Sequence, residues 1–266
     1  MFVILIEELQ KRGFEISGIY ERNDVAIREL EGLTQYKGWY NLPDRSIPDS
    51  TVTEIVENGI YYSVDVENGQ KTGFFLDQKY NRRAVSRISK GKKVLDCFTH
   101  TGSFAMNAVS GGAEHVTAVD VSERAIEMAK NNAERNGFTD RMDFIAADVF
   151  ELLPELKEKG GHPYDLIILD PPAFTKSRKT AKNAEKGYKE INYRAMKLLP
   201  RGGYLATASC SHFMPHEQFE KMLVSAAKDA GVSLKQIEMR QQSPDHPILW
   251  NVPETDYLKF YIFQVC

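Results

Sequence analysis

The sequence predicts an α/β protein: a doubly wound, mostly parallel sheet that finishes in an antiparallel pair of strands, preceded by a small mixed α/β module. Two observations carry this reading. From Lys92 onward short apolar runs alternate with longer amphipathic segments, the pattern of strand–helix units in a parallel sheet. Four of the runs, "KKVLD", "HVTAVD", "MDFIAAD" and "YDLIILD", end in an acid (Asp96, Asp120, Asp148 and Asp170), whereas the fifth, "GGYLATASCS", ends at Cys210.

Taken in order, the elements begin with "MFVILIEELQKRG", where Phe2, Leu5, Ile6 and Leu9 keep helical spacing and Gly13 is the stop. This run is too short for a membrane span, and it lacks the basic leader and cleavage site of a targeting segment. Up to Thr72 the strand-like runs "EISGIYER", "TVTEIVENG" and "IYYSVDVENG" are broken by Gly, Pro and Asn, so residues 1–72 are read as an accessory module and 73–266 as the main domain. Within the latter, Ser122 to Asn136 is the clearest helix: Ser122 can cap it, Glu123 suits its positive end, Gly137 can terminate it, and Ile126, Ala129 and Ala133 share one face. A further helix is expected around His216 to Ala230, followed by the strands "VSLKQIEMRQ" and "TDYLKFYIFQV".

Bulk properties narrow the function. A chain of 266 residues can bury a core without staples, and its three cysteines (Cys97, Cys210, Cys266) are too far apart for a zinc site or a disulfide framework. No metal is expected, and a reducing cytoplasm fits best. The net charge of −3 gives no global case for nucleic acid, so any such case is local. It is found in "TKSRKTAKNAEKGYKEINYRAMK", with eight basic residues against two acids. Lys176, Arg178 and Lys179 there are phosphate-binding candidates, the alternative being a solvated helix face.

In an open parallel sheet, ligands sit at the carboxyl ends of the strands, so the four acids and Cys210 should share one rim. "DCFTHTGSFA" follows the first of these strands and opens a helix. Gly102 permits close backbone approach, and Thr101, Ser103 and the helix N–H groups can receive an anionic group. The stretch lacks the G-x-G-x-x-G of dinucleotide enzymes. Asp120 is placed to accept from both hydroxyls of a ribose, or else to cap a helix. Asp148, with Val149 and Phe150 behind it, can receive an adenine amino group. Adenosine is therefore expected, and a pyrophosphate is not.

The series Asp96 to Ser103, Asp120, Asp148, "DPPAF" and "SCS" resembles the class I S-adenosylmethionine (AdoMet) methyltransferases. More narrowly, "GFFLDQKYNR", "DPPAF", "GYKEIN", "SCSHF" and "DHP" resemble the RlmI-type bacterial 23S rRNA cytosine-C5 methyltransferases, from about Ser17 to the last residue. The resemblance implies a Rossmann-like sheet of seven strands with a reversed last strand, AdoMet as methyl donor, and cytosine of large-subunit rRNA as acceptor. The family's usual N-terminal RNA-binding domain of PUA type is not in this sequence. Carried onto this chain, the cofactor contacts are Gln78, Arg82, Asp96, Phe98, Thr101, Gly102, Ser103, Asp120, Val121, Asp148, Val149, Asp170 and Pro171. Gln78 or Arg82 would reach the methionine end, unless Arg82 pairs with an acid at the sheet edge. The expected partner is RNA, in particular 23S rRNA, with no membrane; a homodimer is the assembly considered.

Cytosine C5 is too weak a nucleophile to take a methyl group unaided, so the implied chemistry needs a nucleophile added first at C6, for which a thiolate is suited. Cys210 is assigned that role, the bland reading being a small core residue. Asp170, held by the prolines of "DPP", would bind the N3/N4 edge of the base. Two-cysteine cytosine methyltransferases carry a second cysteine near this turn; here Ala173 stands in its place, which leaves Asp170, a water or His246 as the C5 base. Phe174 either stacks on the target base or anchors the loop. The competing readings are methylation of an exocyclic base amine, which needs no thiol, and a non-catalytic AdoMet- or RNA-binding scaffold.

Overall fold

The structure, a computed structural model, describes residues 1–42, 45–70, 72–174 and 181–266. The chain forms two compact units, one of Met1–Ile55 with Tyr62–Phe75 and one of Val56–Tyr61 with Leu76–Cys266.

In the first unit, helix α1 (Phe2–Lys11) buries Ile6 on one stripe and ends before Gly13, whose φ of +82° provides the left-handed stop. Leu5, expected on that stripe, is exposed. Strand β1 (Tyr20–Asn23) pairs antiparallel with β2 (Tyr36–Trp39) around the short helix α2 (Ile27–Leu30). The Arg22 guanidinium donates to the carbonyls of Val66 and Gly69 at 3.0 and 3.1 Å, tying β1 to a later loop of the same unit. Strands β3 (Val52–Glu57) and β4 (Ile60–Asp65) form a hairpin through Asn58 and Gly59, both at positive φ (54° and 80°), as a two-residue turn of this kind requires. The tip of the hairpin belongs to the second unit.

The second unit holds α3 (Lys79–Ile88), β5 (Lys93–Cys97), α4 (Ser103–Ser110), β6 (His115–Asp120), α5 (Glu123–Arg135), β7 (Met142–Ala146) and α6 (Val149–Glu158). It continues with β8 (Leu166–Leu169), α7 (Ala181–Leu198), β9 (Tyr204–Ser209), α8 (His216–Ala230), β10 (Leu234–Arg240) and β11 (Lys259–Val265). The sheet order is β10-β11-β9-β8-β5-β6-β7, with β5 to β9 mutually parallel and β11 antiparallel to both its neighbours. This is the expected seven-stranded Rossmann-like sheet with its reversed strand. The strand order turns back between β5 and β8, which makes that crevice the natural ligand site.

The elements form for the reasons read in the sequence. A parallel strand covered on both faces must be apolar throughout, and Leu166, Ile167, Ile168 and Leu169 of β8 are all 0 % exposed. Ser122 Oγ accepts from the Ala125 N–H at 3.3 Å, capping α5, and Gly137 takes φ +67° just beyond its end. Ala129 and Ala133 bury the inner face of that helix.

One crossing depends on a missing side chain. A Cβ added at Gly111, which follows α4, would lie 2.0 Å from the Ser86 carbonyl oxygen on α3, whereas one at Gly137 would meet nothing within 4 Å. Gly137→Ala should therefore cost about 1 kcal/mol, the left-handed penalty alone, and Gly111→Ala about 2–3 kcal/mol or more because backbone must move. Urea unfolding of the two variants checks the order.

Candidate active site

The turn between β5 and α4 is built around a buried carboxylate. Asp96 is 0 % exposed, and its Oδ2 accepts from Thr99 Oγ1 at 2.6 Å and from the Ala105 N–H at 2.9 Å. Burial pushes its pKa up to about 7, with the Asp170 and Asp120 carboxylates adding to the rise. Phe98 and His100 both take left-handed backbone (φ 64° and 50°), a strain of about 1 kcal/mol each for a residue with a Cβ. The turn is held against it by the Thr99 N–H on Val119 O (2.8 Å) and the Gly102 N–H on Thr99 O (2.9 Å). Gly102 sits at φ +82°, and a Cβ there would stand 3.1 Å from that of Ala129, so glycine serves both the turn and the helix packing. Cys97 is buried, its thiol pushed well up by desolvation, in the supporting role its position suggested. Burial also lowers the pKa of His100.

Asp120 ends β6 on the same rim and accepts from the His100 and Ser122 N–H groups at 2.9 and 3.0 Å. Each carboxylate oxygen keeps acceptor capacity beyond one bond, enough for a pair of hydroxyls. Val121 beside it is 72 % exposed, an apolar face open at the rim. Asp148 lies two residues past β7 and caps α6, accepting from the Phe150 N–H at 2.8 Å. Val149 is 2 % exposed and belongs to the core, so its side chain supports the rim from beneath instead of facing a ring.

On the other side of the crevice Asp170 follows β8, and its Oδ1 accepts from Gln78 Nε2 at 2.8 Å. The direction of that bond is set from a distance. Arg240 Nε donates to Asn81 Oδ1 (3.2 Å), and Asn81 Nδ2 donates to Gln78 Oε1 (2.6 Å). A guanidinium only donates, so both amides are oriented and Gln78 must present its N–H to Asp170. Cys210 follows β9, half-buried, with its Sγ 4.0 Å from the Pro171 carbonyl as donor; Pro171 itself is buried. The thiol therefore lies against the Asp170–Pro171 turn instead of inside the core.

At three places the structure bears on alternatives that the sequence left open. Arg82 is 1 % exposed and makes a bidentate pair with Glu57 (2.6 and 2.9 Å), with Ser103 Oγ at 3.4 Å; it braces the hairpin tip against α3. Phe174 packs edge or tilted against Phe98, Phe150 and Tyr188, with centroids 6.4, 5.8 and 4.7 Å away, so it anchors the loop and has no face committed to a base. The basic surplus of α7 is partly internal, since Lys189 pairs with Asp229 and Arg194 with Glu190. Lys176, Arg178 and Lys179 lie outside the described residues. The N–H of His246 closes a turn on Ser243 O at 2.8 Å and its ring meets Asp245, the structural role for that residue. Sequence reasoning missed Glu57, Asn81, Arg240 and Lys259; of these only Lys259, a lone cation in the apolar run "YLKFYIF", left a signal.

The sequence model of the S-adenosylmethionine-dependent methyltransferases matches residues 46–263. The chain belongs to this family. Among curated relatives, a ribosomal RNA large subunit methyltransferase I from Aeromonas salmonicida is 45 % identical over 96 % of this chain and 63 % of its own length. One of the same name from Pseudoalteromonas translucida is 45 % identical over 93 % and 61 %. The chain thus spans less than two thirds of the length of these relatives. Among solved structures, a proposed SAM-dependent methyltransferase from Streptococcus mutans superposes with a TM-score of 0.79 at 24 % identity, covering 99 % of this chain and 66 % of that one. A tRNA m1G37 methyltransferase from Methanocaldococcus jannaschii gives 0.60 at 17 %, covering 98 % and 66 %. These share the fold.

The residues of this AdoMet family member fit its cofactor. Among the described residues, Asp96 Oδ1 and Thr101 Oγ1 are buried polar atoms without a protein partner at the β5–α4 turn, an acceptor and a hydroxyl suited to the charged methionine end. Asp120 and Val121 would take the ribose and one face of the adenine.

Asp96 also makes stability depend on pH. The folded chain keeps a proton that the unfolded chain releases near 3.8, so this contribution is present below that value and is lost as pH rises through the window up to about 7. The melting temperature of Asp96→Asn relative to the parent should therefore rise steadily from pH 4 to pH 7. A difference that stays flat over this range would contradict the buried, proton-holding carboxyl.

Proposed function

We propose that the chain methylates C5 of a cytosine in large-subunit ribosomal RNA, by transient addition of Cys210 to C6 of the base. The observation that carries this reading is the thiol at the end of β9, placed against the Asp170–Pro171 turn at 4.0 Å from the Pro171 carbonyl. The names of the curated relatives support ribosomal RNA as the acceptor. Cytoplasmic residence follows from that substrate.

Each residue then has a task. Asp170, fixed through Gln78, takes the N3/N4 edge of a cytosine turned out of its stack and holds the proton that N3 takes up as the Cys210 thiol ionises and gives back when the thiolate leaves. The Cys210 thiolate forms a bond to C6, and the C5–C6 π pair becomes available at C5. Bound AdoMet supplies an electrophilic methyl group on a sulfonium. Once C5 carries the methyl group, its proton passes to a base, either Asp170 or water held there; the electrons of that C–H bond restore the double bond and expel the thiolate. The chain's main contribution is alignment, since an ordinary thiol is only about 3 % ionised at pH 7. Residues 1–72 are proposed to serve as an RNA-contacting module.

Methyl transfer from labelled AdoMet to deproteinised large-subunit RNA, followed by nucleoside analysis, tests the reading. 5-Methylcytidine is expected as product, and Cys210→Ala should lower its formation by about 10³-fold or more. Undiminished transfer by Cys210→Ala, or a product methylated on an exocyclic nitrogen, would assign the chain to amine methylation instead.

A further inference from the structure

Lys259 is among the most thoroughly buried cations of the chain, 1 % exposed, at the first position of β11. Its Nζ donates to the Ser211 carbonyl at 2.6 Å and to the Tyr257 carbonyl at 2.8 Å. Its backbone is paired with Ser209 across the β9–β11 ladder. Lys259 thus grips the chain on both sides of Cys210, by its main chain one residue before and by its ammonium one residue after. A buried ammonium is costly, and an apolar residue at a strand end would be expected there unless the charge has a use.

Among the described residues, Lys259 is a cation whose charge couples to the thiol. Tyr188 from α7 and Tyr257 ahead of β11 both feel the Cys210 charge and are phenols whose pKa values burial raises, so they are neutral. Asp170 after β8 faces Tyr188, Asp77 and Asp245 face Tyr257, and Asp256 faces Lys259; all are acids, which oppose a second anion. His212 is exposed and stacks on Phe213, and His216 is engaged with Asp256 at 3.2 Å. The Lys259 ammonium is itself drawn down to about 8 by desolvation, with Asp256 and the Cys210 thiolate holding it up.

From this arrangement the geometry points to Lys259 as a positioning residue of Cys210: its buried ammonium fixes the backbone that carries the thiol and adds a positive charge that favours the thiolate. This rests on Cys210 as the nucleophile of the reaction proposed above. No electron or proton passes through Lys259; its field makes the thiolate easier to form before addition and a better leaving group afterwards.

The test reads thiol ionisation directly. Alkylation of the full chain by iodoacetamide is followed from pH 6 to pH 10 with the Cys210 peptide resolved by mass spectrometry, apart from those of Cys97 and Cys266. Lys259→Gln keeps donors for both carbonyls and removes the charge, and Lys259→Arg keeps a charge. S-Adenosylhomocysteine binding reports that each variant is folded. In the parent chain the midpoint for Cys210 is expected below that of the same residue in the urea-unfolded chain. In Lys259→Gln the midpoint should rise by about one pH unit, slowing alkylation at pH 7 by about tenfold, with Lys259→Arg restoring most of it. An unchanged midpoint in Lys259→Gln, or a native midpoint at or above the unfolded one, overturns the proposal; the latter needs no variant. Because the readout is the thiol and not methyl transfer, these results stand even where Cys210→Ala leaves methylation intact, which would strike only the C5 reading.

Discussion

The second unit is organised around a carboxylate that has no water to answer to. Asp96 is buried beneath the β5–α4 turn, and its bonds to Thr99 and the Ala105 N–H hold two left-handed residues, Phe98 and His100, in place. Those two in turn let the chain reverse within a few residues and deliver the His100 N–H to Asp120 on the next strand. Without that internal acceptor the turn would relax, and the separation between the cofactor side and the thiol side of the crevice would no longer be set by the sheet. A polar group buried for this purpose costs stability elsewhere, as the raised pKa of Asp96 shows.

The two sides of the crevice use different physics. On the β5–β6–β7 side the contacts are strand-end carboxylates that accept backbone N–H groups, so their positions follow from the main chain. On the β8–β9 side the position of Asp170 depends on side-chain amides, through Gln78, Asn81 and finally Arg240 on β10. The first arrangement is rigid by construction; the second holds only as long as every member of the relay is oriented. The geometry of the β8–β9 side is therefore the more easily disturbed of the two.

This difference also decides what the sequence discloses. A parallel strand reads as an apolar run and its end as the first polar residue, so Asp96, Asp120, Asp148, Asp170 and Cys210 could be placed on one rim from pattern alone. The α5 cap at Ser122 and the reversed last strand were equally legible. For Arg82 the pairing with an acid was one of two open readings, but the acid was not legible, because Glu57 lies on a hairpin tip that no local pattern ties to α3. Phe174 was ambiguous because an aromatic after D-P-P is compatible with stacking or with anchoring; the structure adds three neighbouring rings from separate elements, contacts of the anchoring kind. The amide relay joins residues some 160 positions apart and leaves no mark in a one-dimensional reading.

The reversed strand has a consequence for how the molecule becomes competent. Because β11 is threaded between β9 and β10, both of which precede it in the chain, it is the last strand to be laid down and leaves two open edges until it arrives. The β5–β6–β7 side of the crevice draws on strands that precede all three of these. Lys259 enters with the first residue of β11, so a sheet without that strand lacks the ammonium that holds the Ser211 carbonyl. On the role proposed for Lys259, strand insertion thus doubles as a check on completeness, because the charge that favours the thiolate arrives only with the closing strand.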